Sequence, residues 1–531
     1  MRAIPLLVGR NGMNTIDPFL GIESGFMREA TNFIYVDGKY KQRPAVRHSK
    51  HHANIVSARW HDGTYAILDS GEVRDYATGG LASTISAYNV LPTSFTHANQ
   101  DIVCGFGVPR LADYPFTAWT KTTTTITAAN IECGMSHRQR AFVSDDYVFE
   151  WYAQDEQLVS GAAASAGVES LIGLFKKGET ILRMFSMTVQ PGNNTTNAAI
   201  FFGDKGSVLI YDGDYPGASN WQIVGKYVMP KPKARTSFCE IDGDIMVFTD
   251  RYAYWVSDLL AGGVTGAYEN RPSRPIDNLY NAFMRDYSGI GVDTDYRPPH
   301  AFYLDQAGPA DDRVVFYDAI VCTTDRHYYD FWDYDAYPAA LVYKRNPAGW
   351  YIWAMPYFGH PYRNGLAMNG HSSELVEFSP LYQQDQSDWT STTIDIESVA
   401  KWPYIGLTEP RARKVTGARV FGRNEDRAQV HRVRAHFDFA DITLPLGLTY
   451  QSMVGDTPFI GTYVDAPEFN QLHSHSPTSE QYASPMLGLA GEGSCVSMEV
   501  VLRRHETDGI YTSTQDLHAA TLFLTEGGLR A

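Results

Sequence analysis

The sequence predicts an all-β protein, in which an extended N-terminal segment leads to an irregular β-propeller and then to a C-terminal β-sandwich. Aromatic residues make up 13% of the 531 residues, and aromatic side chains favour the half-buried surfaces of sheets. The chain has 45 Gly and 27 Pro, which supply tight turns. Short apolar segments recur between turns rich in Gly, Asp and Asn, which is the pattern of antiparallel hairpins.

The N-terminal segment, residues 1–54, is polar and rich in turns. Its apolar spacing predicts one short helix at Ser24–Phe33, with Ser24 as the N-terminal cap. Basic residues alternate along a strand predicted downstream of this helix, and alternation places side chains largely on one face. These residues are Lys39, Lys41, Arg43 and Arg47. They form either an ordinary charged edge strand, which protects against aggregation, or a contact with another subunit or an adaptor protein.

The central segment, residues 55–384, predicts six hairpins, each with two apolar strands around a short polar turn. The strand pairs are Thr64–Leu68 with Val73–Tyr76, Arg140–Val143 with Tyr147–Trp151, Ala198–Phe202 with Ser207–Tyr211, Ile245–Phe248 with Tyr252–Val256, Ala340–Tyr343 with Trp350–Trp353, and Gly365–Met368 with Leu375–Phe378. Six similar hairpins favour the blades of a propeller. Their irregular spacing differs from that of a WD or kelch repeat, and a pair of stacked sandwiches is an alternative.

Two stretches of the central segment lack periodicity. Residues 261–300 and 321–338 are rich in Tyr, Asp, Arg and Pro, and we expect both to be long loops, which on a β scaffold often carry contacts or function. Ser165–Phe175 has apolar residues at helical spacing and predicts a second short helix.

The C-terminal segment, residues 385–531, predicts a separate β-sandwich of normal domain size. Asp385–Thr392 is polar and predicts a linker, after which the apolar strands become longer. The predicted strands are Thr393–Val399, Val415–Phe421, Val430–Phe437, Val496–Arg503 and Ala519–Leu524.

Composition argues against several classes of protein. The formal net charge is −16, whereas proteins that grip nucleic acid usually carry a basic face. The five cysteines are scattered without a CxxC spacing, which favours reduced thiols over disulfides or a zinc site. We expect neither a signal peptide nor a membrane-spanning helix, because no apolar run is long enough.

Candidate catalytic and metal-binding residues have simpler explanations. Paired carboxylates could serve a glycosidase, but they fall in predicted turns, where Asp bonds its own backbone. The pairs are Asp145-Asp146, Asp212 with Asp214, Asp242 with Asp244, and Asp311-Asp312. Asp212-Gly213-Asp214 leaves open a structural cation. The histidine groups, which we expect to be solvated, are His48, His51 and His52, and His473 and His475. We expect no cofactor and no catalytic residue.

The N-terminal residues resemble the opening of the tail nozzle, or hub, proteins of short-tailed bacteriophages. Val8–Pro18 corresponds to the family's Gly-Asn-rich start, Met27–Asn32 contains its Glu-Ala-x-Asn core, and Asp37–Pro44 contains a Gly turn before a Lys/Arg-x-Arg-Pro strand. Weaker resemblance runs through the rest of the chain. Arg138–Trp151 with Ile172–Phe185, and Trp221–Val224 with Ala234–Trp255, are similar to its propeller; Thr393–Leu407 with Arg413–Val420 is similar to its C-terminal platform.

The resemblance implies a structural virion protein that is not an enzyme. Such proteins form a homohexameric ring below the portal and the head–tail adaptor, with a propeller outside and a platform lining the channel. They retain packaged double-stranded DNA, anchor fibres, spikes or plug proteins, and conduct the genome at ejection without reading its sequence. The implied location is the virion tail, assembled in the host cytoplasm, and the implied contact residues are Arg10 and Asn11 together with the four basic residues above. The alternatives are a carbohydrate-active propeller enzyme and a receptor-binding tail spike.

Overall fold

The computed structural model describes much of the chain, with gaps. The described residues are 2–17, 22–23, 25–43, 45–51, 58–61, 65–68, 72–75, 77–84, 93–105, 110–111, 123, 125–154, 164–189, 196–241, 243–284, 300–304, 313–321, 336–354, 359–361, 366–369, 374–379, 384–386, 393–396, 398–406, 413–423, 429–437, 463–465, 482–483, 487–493, 495–503 and 516–526.

Strands dominate the first half of the described chain. In chain order they are β1 (Arg2–Leu7), β2 (Glu29–Thr31), β3 (Phe33–Val36), β4 (Lys39–Gln42), β5 (Ala45–His51), β6 (Ala58–His61), β7 (Tyr65–Leu68), β8 (Glu72–Asp75), β9 (Leu81–Thr84), β10 (Thr93–His97), β11 (Gln100–Cys104), β12 (Arg110–Leu111), β13 (Cys133–His137), β14 (Arg140–Asp145), β15 (Val148–Trp151), β16 (Gly167–Ser170), β17 (Ile181–Val189), β18 (Thr196–Gly203), β19 (Ser207–Asp212), β20 (Gln222–Val228), β21 (Phe238–Ile241), β22 (Asp244–Phe248) and β23 (Ala253–Trp255).

The second half adds further strands and two α-helices. The helices are α1 (Val256–Glu269) and α2 (Asp277–Met284), and single 3-10 turns lie at Ala128–Asn130 and Arg274–Ile276. The strands are β24 (His300–Leu304), β25 (Arg313–Val321), β26 (Ala336–Lys344), β27 (Gly349–Ala354), β28 (Gly359–Pro361), β29 (Leu366–Asn369), β30 (Glu374–Ser379), β31 (Gln384–Gln386), β32 (Thr393–Asp395), β33 (Ser398–Lys401), β34 (Ile405–Gly406), β35 (Arg413–Arg423), β36 (Gln429–Phe437), β37 (Tyr463–Asp465), β38 (Tyr482–Ala483), β39 (Leu487–Gly493), β40 (Cys495–Arg503) and β41 (Asp516–Glu526).

An irregular β-propeller occupies the centre of the chain. Successive antiparallel meanders of three or four strands follow one another from β6 to β30. The first strands of neighbouring meanders lie in contact: β10 with β13, β13 with β17, β21 with β24, and β24 with β28. β5 completes the last meander by pairing with β30, so the two ends of the series are joined. Small sheets that pack side by side in chain order are the architecture of a propeller, and the predicted fold class is confirmed.

All six predicted hairpins are confirmed by the strand pairing. Two of the described turns use conformations that their residues favour. Asp146, between β14 and β15, has a left-handed backbone (φ 54), and so does Gly206, between β18 and β19 (φ 91). The combination of apolar strands with turn-forming residues therefore predicted these hairpins correctly.

Both predicted short helices are wrong. Ser24–Phe33 contains β2 and the start of β3, separated by Asn32, and the main chain of β2 pairs on both sides. The residues of β2 are buried on both faces of the sheet. Apolar residues therefore fit in this strand without the alternation expected of a half-exposed one. Ser165–Phe175 contains β16 instead, and Ile172, expected on a buried helix face, is 70% exposed.

The prediction of long loops is wrong for much of residues 261–300, which contain most of α1 and all of α2. Three glycines lower the helix propensity of α1, and the helix is kinked at Gly263, whose backbone is not helical (φ 64, ψ −158). Leu259 and Ala267, on either side of the kink, are buried against the propeller core. In the second predicted loop, Ala336–Pro338 begins β26. Residues 285–299 and 322–335 lie outside the described residues.

Two large sheets enclose the C-terminal core and form the predicted sandwich. One has the order β3-β4-β41-β35-β38, with β1 on β41 and β39 on β35. The other ends in β33-β40-β36-β37. Apolar residues of both, such as Val420 and Leu522 on one and Val500 and Phe437 on the other, share one core. Four of the five predicted C-terminal strands are confirmed, whereas Thr393–Val399 contains β32 and the start of β33 instead of one strand. Asp385 and Gln386 of the predicted linker lie in β31.

The N-terminal strands cross between these parts of the molecule. β1 and β4 pair with β41, near the C-terminus. β2 pairs in parallel with β27, from the propeller, and antiparallel with β33, from the C-terminal segment. One ten-stranded sheet therefore runs from the propeller through β2 into the sandwich. The division at residues 54 and 384 stays a prediction, and main-chain pairing crosses both positions.

Candidate functional site: the N-terminal junction

The junction is the place where residues 9–13, 27–32 and 40–43 meet β27, β33 and β40. Glu29 lies opposite Lys401 on β33, which in turn lies opposite Glu499 on β40. Residues directly opposite on neighbouring strands bring their side chains together. Lys401 Nζ is 2.8 Å from Glu29 Oε2 and 3.6 Å from Glu499 Oε2. The sheet pairing thus produces a row of alternating charge across three strands.

The row is buried and continues onto β36. Glu29, Lys401 and Glu499 are each no more than 1% exposed. His436 Nε2 lies 3.2 Å from Glu499 Oε2, and Thr31 Oγ1 donates a hydrogen bond to the other carboxylate oxygen of Glu29 (3.0 Å). Buried charges persist in proteins when they are paired and hydrogen-bonded. This arrangement neutralises carboxylates that are cut off from water, so it stabilises a strand junction.

A second polar group lies at the turn between β2 and β3. Asn32 has a left-handed backbone (φ 57), which Asn tolerates better than most residues. Its side-chain Oδ1 accepts hydrogen bonds from Arg43 Nε (2.9 Å) and from the main-chain N–H of Ala354 (2.8 Å). Arg43 also donates to the carbonyl of Ala354 (2.8 Å). These bonds tie the N-terminal segment to the end of β27.

The glycine-rich start of the chain passes against β27. Gly12 has φ 71, and a Cβ there would come within 2.4 Å of the carbonyl oxygen of Trp350. Only glycine combines this conformation with so close an approach of two main chains. The N–H of Met13 donates to the same carbonyl (3.0 Å), and Tyr40 Oη donates to the carbonyl of Gly9 (2.8 Å).

The predicted contact residues do not form one surface. Arg10 is exposed, Asn11 is half-buried, and Lys39 and Lys41 share the half-buried face of β4. Arg43 is 2% exposed and bonds its own chain, so it does not lie on the surface of the single chain, and its intermolecular contact stays a prediction. Arg47 lies in β5, in a different sheet, because the chain breaks between β4 and β5. The predicted single basic strand is therefore two strands. The side chain of Arg47 lies outside the part of the chain that the structure describes.

The paired carboxylates that are described lie in turns and caps. Asp145 and Asp146 lie at the β14–β15 turn, where burial, and next the charge of Asp146, raise the pKa of Asp145. Asp244 Oδ2 accepts a hydrogen bond from the hydroxyl of Ser257 in the first turn of α1 (2.7 Å). Asp242, Asp311 and Asp312 fall outside the described residues.

The Asp212-Gly213-Asp214 turn is neutralised by an arginine. Arg138 lies 3.5 Å from the carboxylate of Asp212 and 2.6 Å from that of Asp214. A guanidinium in this position supplies the positive charge that a bound cation would bring. Across the described part of the chain, no three His, Cys, Asp or Glu residues converge as a metal site. His48 and His51 lie in β5; His52, His473 and His475 are not among the described residues.

The four described cysteines are buried and form no disulfide among the described residues; they are Cys104, Cys133, Cys239 and Cys495. Burial raises the pKa of the Cys104, Cys133 and Cys239 thiols, and a thiol held in its protonated form is a poor nucleophile. Cys322 is outside the described residues. Within the described ranges, no helix is long and apolar enough to cross a membrane.

Sequence reasoning missed the junction because its partners are far apart along the chain. The resemblance motif includes Gly12, Glu29, Asn32 and Arg43, but no spacing in the sequence relates Lys401 or Glu499 to these residues. A lysine and a glutamate inside apolar strands, at Lys401 and in Met498–Leu502, were the available indication, since unpaired charges are rarely buried.

The fold defines the class: an all-β protein in which an irregular propeller shares a sheet with a sandwich. No family model and no curated protein matches the chain. Among solved structures, BBS1N in complex with ARL6DN is 10% identical, with a TM-score of 0.35 over 63% of this chain and 98% of that one. A Bacillus subtilis glycoside hydrolase family 43 arabinoxylan arabinofuranohydrolase is 8% identical, with a TM-score of 0.23 over 94% and 96%.

Trypanosoma rangeli sialidase is 10% identical, with a TM-score of 0.21 over 98% of this chain and 96% of that one. TM-scores of this size carry no argument about activity. Function is therefore inferred from the residues of the chain itself.

Proposed function

We propose that this chain is a structural subunit of the tail nozzle of a short-tailed bacteriophage. In this proposal six copies form a ring below the portal and the adaptor. The ring retains packaged DNA, anchors fibres or spikes, and conducts the genome during ejection.

The observation that supports the proposal is the position of the N-terminal motif. The residues that carry the family resemblance are those that build the junction: Gly12 allows close approach to Trp350, Glu29 pairs with Lys401, and Asn32 joins Arg43 to Ala354. A motif whose members are buried and bonded to distant strands specifies an architecture. The residues that carry the resemblance therefore connect the propeller to the sandwich, which is a structural role.

Charge is compatible with a conduit for DNA. The net charge of −16 opposes adhesion of phosphate groups, because association with nucleic acid depends on release of counterions by basic residues. A wall that repels the DNA backbone lets the duplex pass without being held.

Location in the particle is the direct test. Phage particles that encode this chain would be labelled with gold-conjugated antibody against it and imaged by electron microscopy. We expect label at the tail below the head, at the same place in every particle. Particles that lack the chain altogether would overturn the proposal.

Assembly gives an independent test. The mass of the purified chain, alone and with its adaptor protein, would be measured by light scattering, and we expect a ring of six copies. If Lys39 and Lys41 contribute to the subunit contact, Lys39→Glu/Lys41→Glu would reduce assembly, and Lys177→Glu, on an exposed turn of the propeller, would not. A lone monomer that hydrolyses host polysaccharide would favour the enzymatic alternative instead.

A further inference from the structure

A groove with a positive lining opens on the propeller, away from the junction. Its cavity is about 610 Å³ and lies between the β18–β19 turn, the β22–β23 turn and α1. Its described lining includes four cationic residues, Lys176, Lys205, Lys231 and Arg251, and one carboxylate, Asp250. In a chain with a net charge of −16, this is a local reversal of charge.

The cations are available to a ligand. Lys176 and Lys205 donate hydrogen bonds from Nζ to main-chain carbonyls of the neighbouring turns, at 2.6 Å in each case. Carbonyls hold these ammonium groups in place without cancelling their charge. Lys231 and Arg251 are exposed, and in the described part of the chain neither forms an ion pair with a carboxylate. The groove therefore presents positive charge that is held in position but not neutralised.

Exposed apolar side chains lie on β20 and α1, and three of them line the groove. On β20, Ile223, Val224 and Val228 are 41%, 51% and 56% exposed. On α1, Val264 and Tyr268 are 40% and 49% exposed, and α1 contacts β20. Val228, Val264 and Tyr268 line the groove itself. Such clustering on two neighbouring elements is typical of an interaction surface.

The main chain of β20 offers a further point of attachment. Among the described strands of its sheet, β20 pairs with β19 and forms the edge of the order β17-β18-β19-β20. An edge strand carries unpaired N–H and C=O groups that an extended peptide can bond. The positively charged side chains of the groove and the edge of β20 therefore lie on the same surface.

We propose that this surface binds an extended acidic segment of a partner protein, which adds to the β20 edge and places carboxylates against Lys231 and Arg251. Aliphatic side chains and a strand edge fit a peptide better than DNA, which is held by arrays of basic residues and aromatic stacking. The overall negative charge of the chain also disfavours a long polyanion. The inference does not depend on the proposed tail function.

The test uses the intact chain and a fluorescently labelled short peptide in which Glu and Val alternate. Binding would be measured by fluorescence anisotropy. The double variant Lys231→Glu/Arg251→Glu is expected to weaken binding about tenfold, because two attractions become repulsions. Lys177→Glu is the matched control, since Lys177 is an exposed neighbour of Lys176 outside the groove lining, and it should leave the affinity unchanged. Circular dichroism and thermal unfolding would confirm that both variants are folded.

Changes to the peptide test the strand pairing separately. Methylation of alternate backbone nitrogens removes hydrogen-bond donors but keeps every side chain, and we expect it to abolish binding. A peptide in which Lys replaces Glu should not bind. Failure of the Glu-Val peptide to bind, or equal weakening by Lys177→Glu, would overturn the proposal.

Two other occupants give distinct results that would also overturn it. If short duplex DNA displaced the peptide at lower concentration than unlabelled peptide does, the groove would be a nucleic-acid site. If sedimentation showed self-association that Lys231→Glu/Arg251→Glu removed while the peptide did not bind, the occupant would be a second copy. Neither result bears on whether the chain is found in a phage tail, which antibody labelling measures independently.

Discussion

Two clusters of ion-paired side chains in this protein differ in their exposure to solvent: one is buried and the other is partly exposed. At the junction, Glu29, Lys401 and Glu499 have side chains that are no more than 2% exposed. On the propeller, Arg138, Asp212 and Asp214 have side chains that are 30% to 45% exposed. The first group joins strands from three distant parts of the chain, whereas the second joins two neighbouring turns. The comparison indicates that burial, rather than the presence of an ion pair, decides how strongly the fold depends on such a group.

The energetic reason is the cost of leaving a charge unpaired. In water an exposed ion pair contributes about 0–1 kcal/mol, since solvent screens both charges. In a buried site the attraction is offset by desolvation, but removal of one partner leaves an uncompensated charge and costs about 3–5 kcal/mol. The junction should therefore be sensitive to single substitutions that the propeller turn tolerates.

The largest effect is expected for Lys401→Met. The methionine fills a similar volume, but Glu29 and Glu499 then share a buried site without the ammonium group. We expect a loss of about 3–5 kcal/mol in the free energy of unfolding, measured by urea denaturation.

The double variant Glu29→Gln/Lys401→Met sharpens this result, because it removes the carboxylate charge of Glu29 together with the ammonium group of Lys401. It should be more stable than Lys401→Met alone, and together with the single variant Glu29→Gln it completes a double-mutant cycle that gives the coupling between Glu29 and Lys401. A cost below about 1 kcal/mol for Lys401→Met would show that the junction behaves like an exposed pair.

An intermediate, pH-dependent effect is expected at His137, the neighbour of Arg138. The ring is buried between Ser186 Oγ and the carbonyl of Gly213, at 2.9 Å from each. Burial lowers the pKa of His137, and the charge of Arg138 adds to this; the Gly213 carbonyl and the carboxylates of Asp212 and Asp214 oppose it.

The sign of the effect follows from proton binding. Below about pH 6.5 the unfolded histidine binds a proton, while the folded one resists protonation until lower pH. The unfolded state therefore binds more protons in this window, and stability falls as the pH falls. His137→Gln keeps a donor for the Gly213 carbonyl but does not titrate, so the stability of the wild type relative to this variant should decline as the pH decreases below about 6.5. A constant difference would contradict a neutral buried ring.

The smallest effect is expected for Arg138→Ala, which removes both ion pairs of the propeller turn. We expect a change of about 0–1 kcal/mol in the free energy of unfolding, smaller still at high salt because exposed charges are screened. Urea denaturation at two ionic strengths measures it. A cost as large as that of Lys401→Met would remove the distinction between the two groups.

The elements that the sequence predicted correctly were those with a local physical cause. Each of the six hairpins combined apolar strands with a sequence of turn-forming residues, and Asp146 and Gly206 adopt the left-handed conformation that such residues accept. The helix predicted at Ser24–Phe33 failed because apolar residues at helical spacing also occur in a strand buried on both faces, such as β2. The helix predicted at Ser165–Phe175 failed because its apolar residues belong to the partly exposed strand β16 and the turn after it. Helix α1 was missed because Gly262, Gly263 and Gly266 lower its helix propensity. In each case tertiary packing overrode local propensity.

By itself, the sequence determined the all-β class, the hairpins and the N-terminal motif, because side-chain alternation, turn conformation and residue order act over a few neighbouring residues. Only the tertiary structure decided that Arg43 lies inside, that β2 joins the propeller to the sandwich, and that Glu29 meets Lys401 and Glu499. Contacts between residues hundreds of positions apart depend on which strands become neighbours, and strand order in a sheet leaves no trace in local spacing.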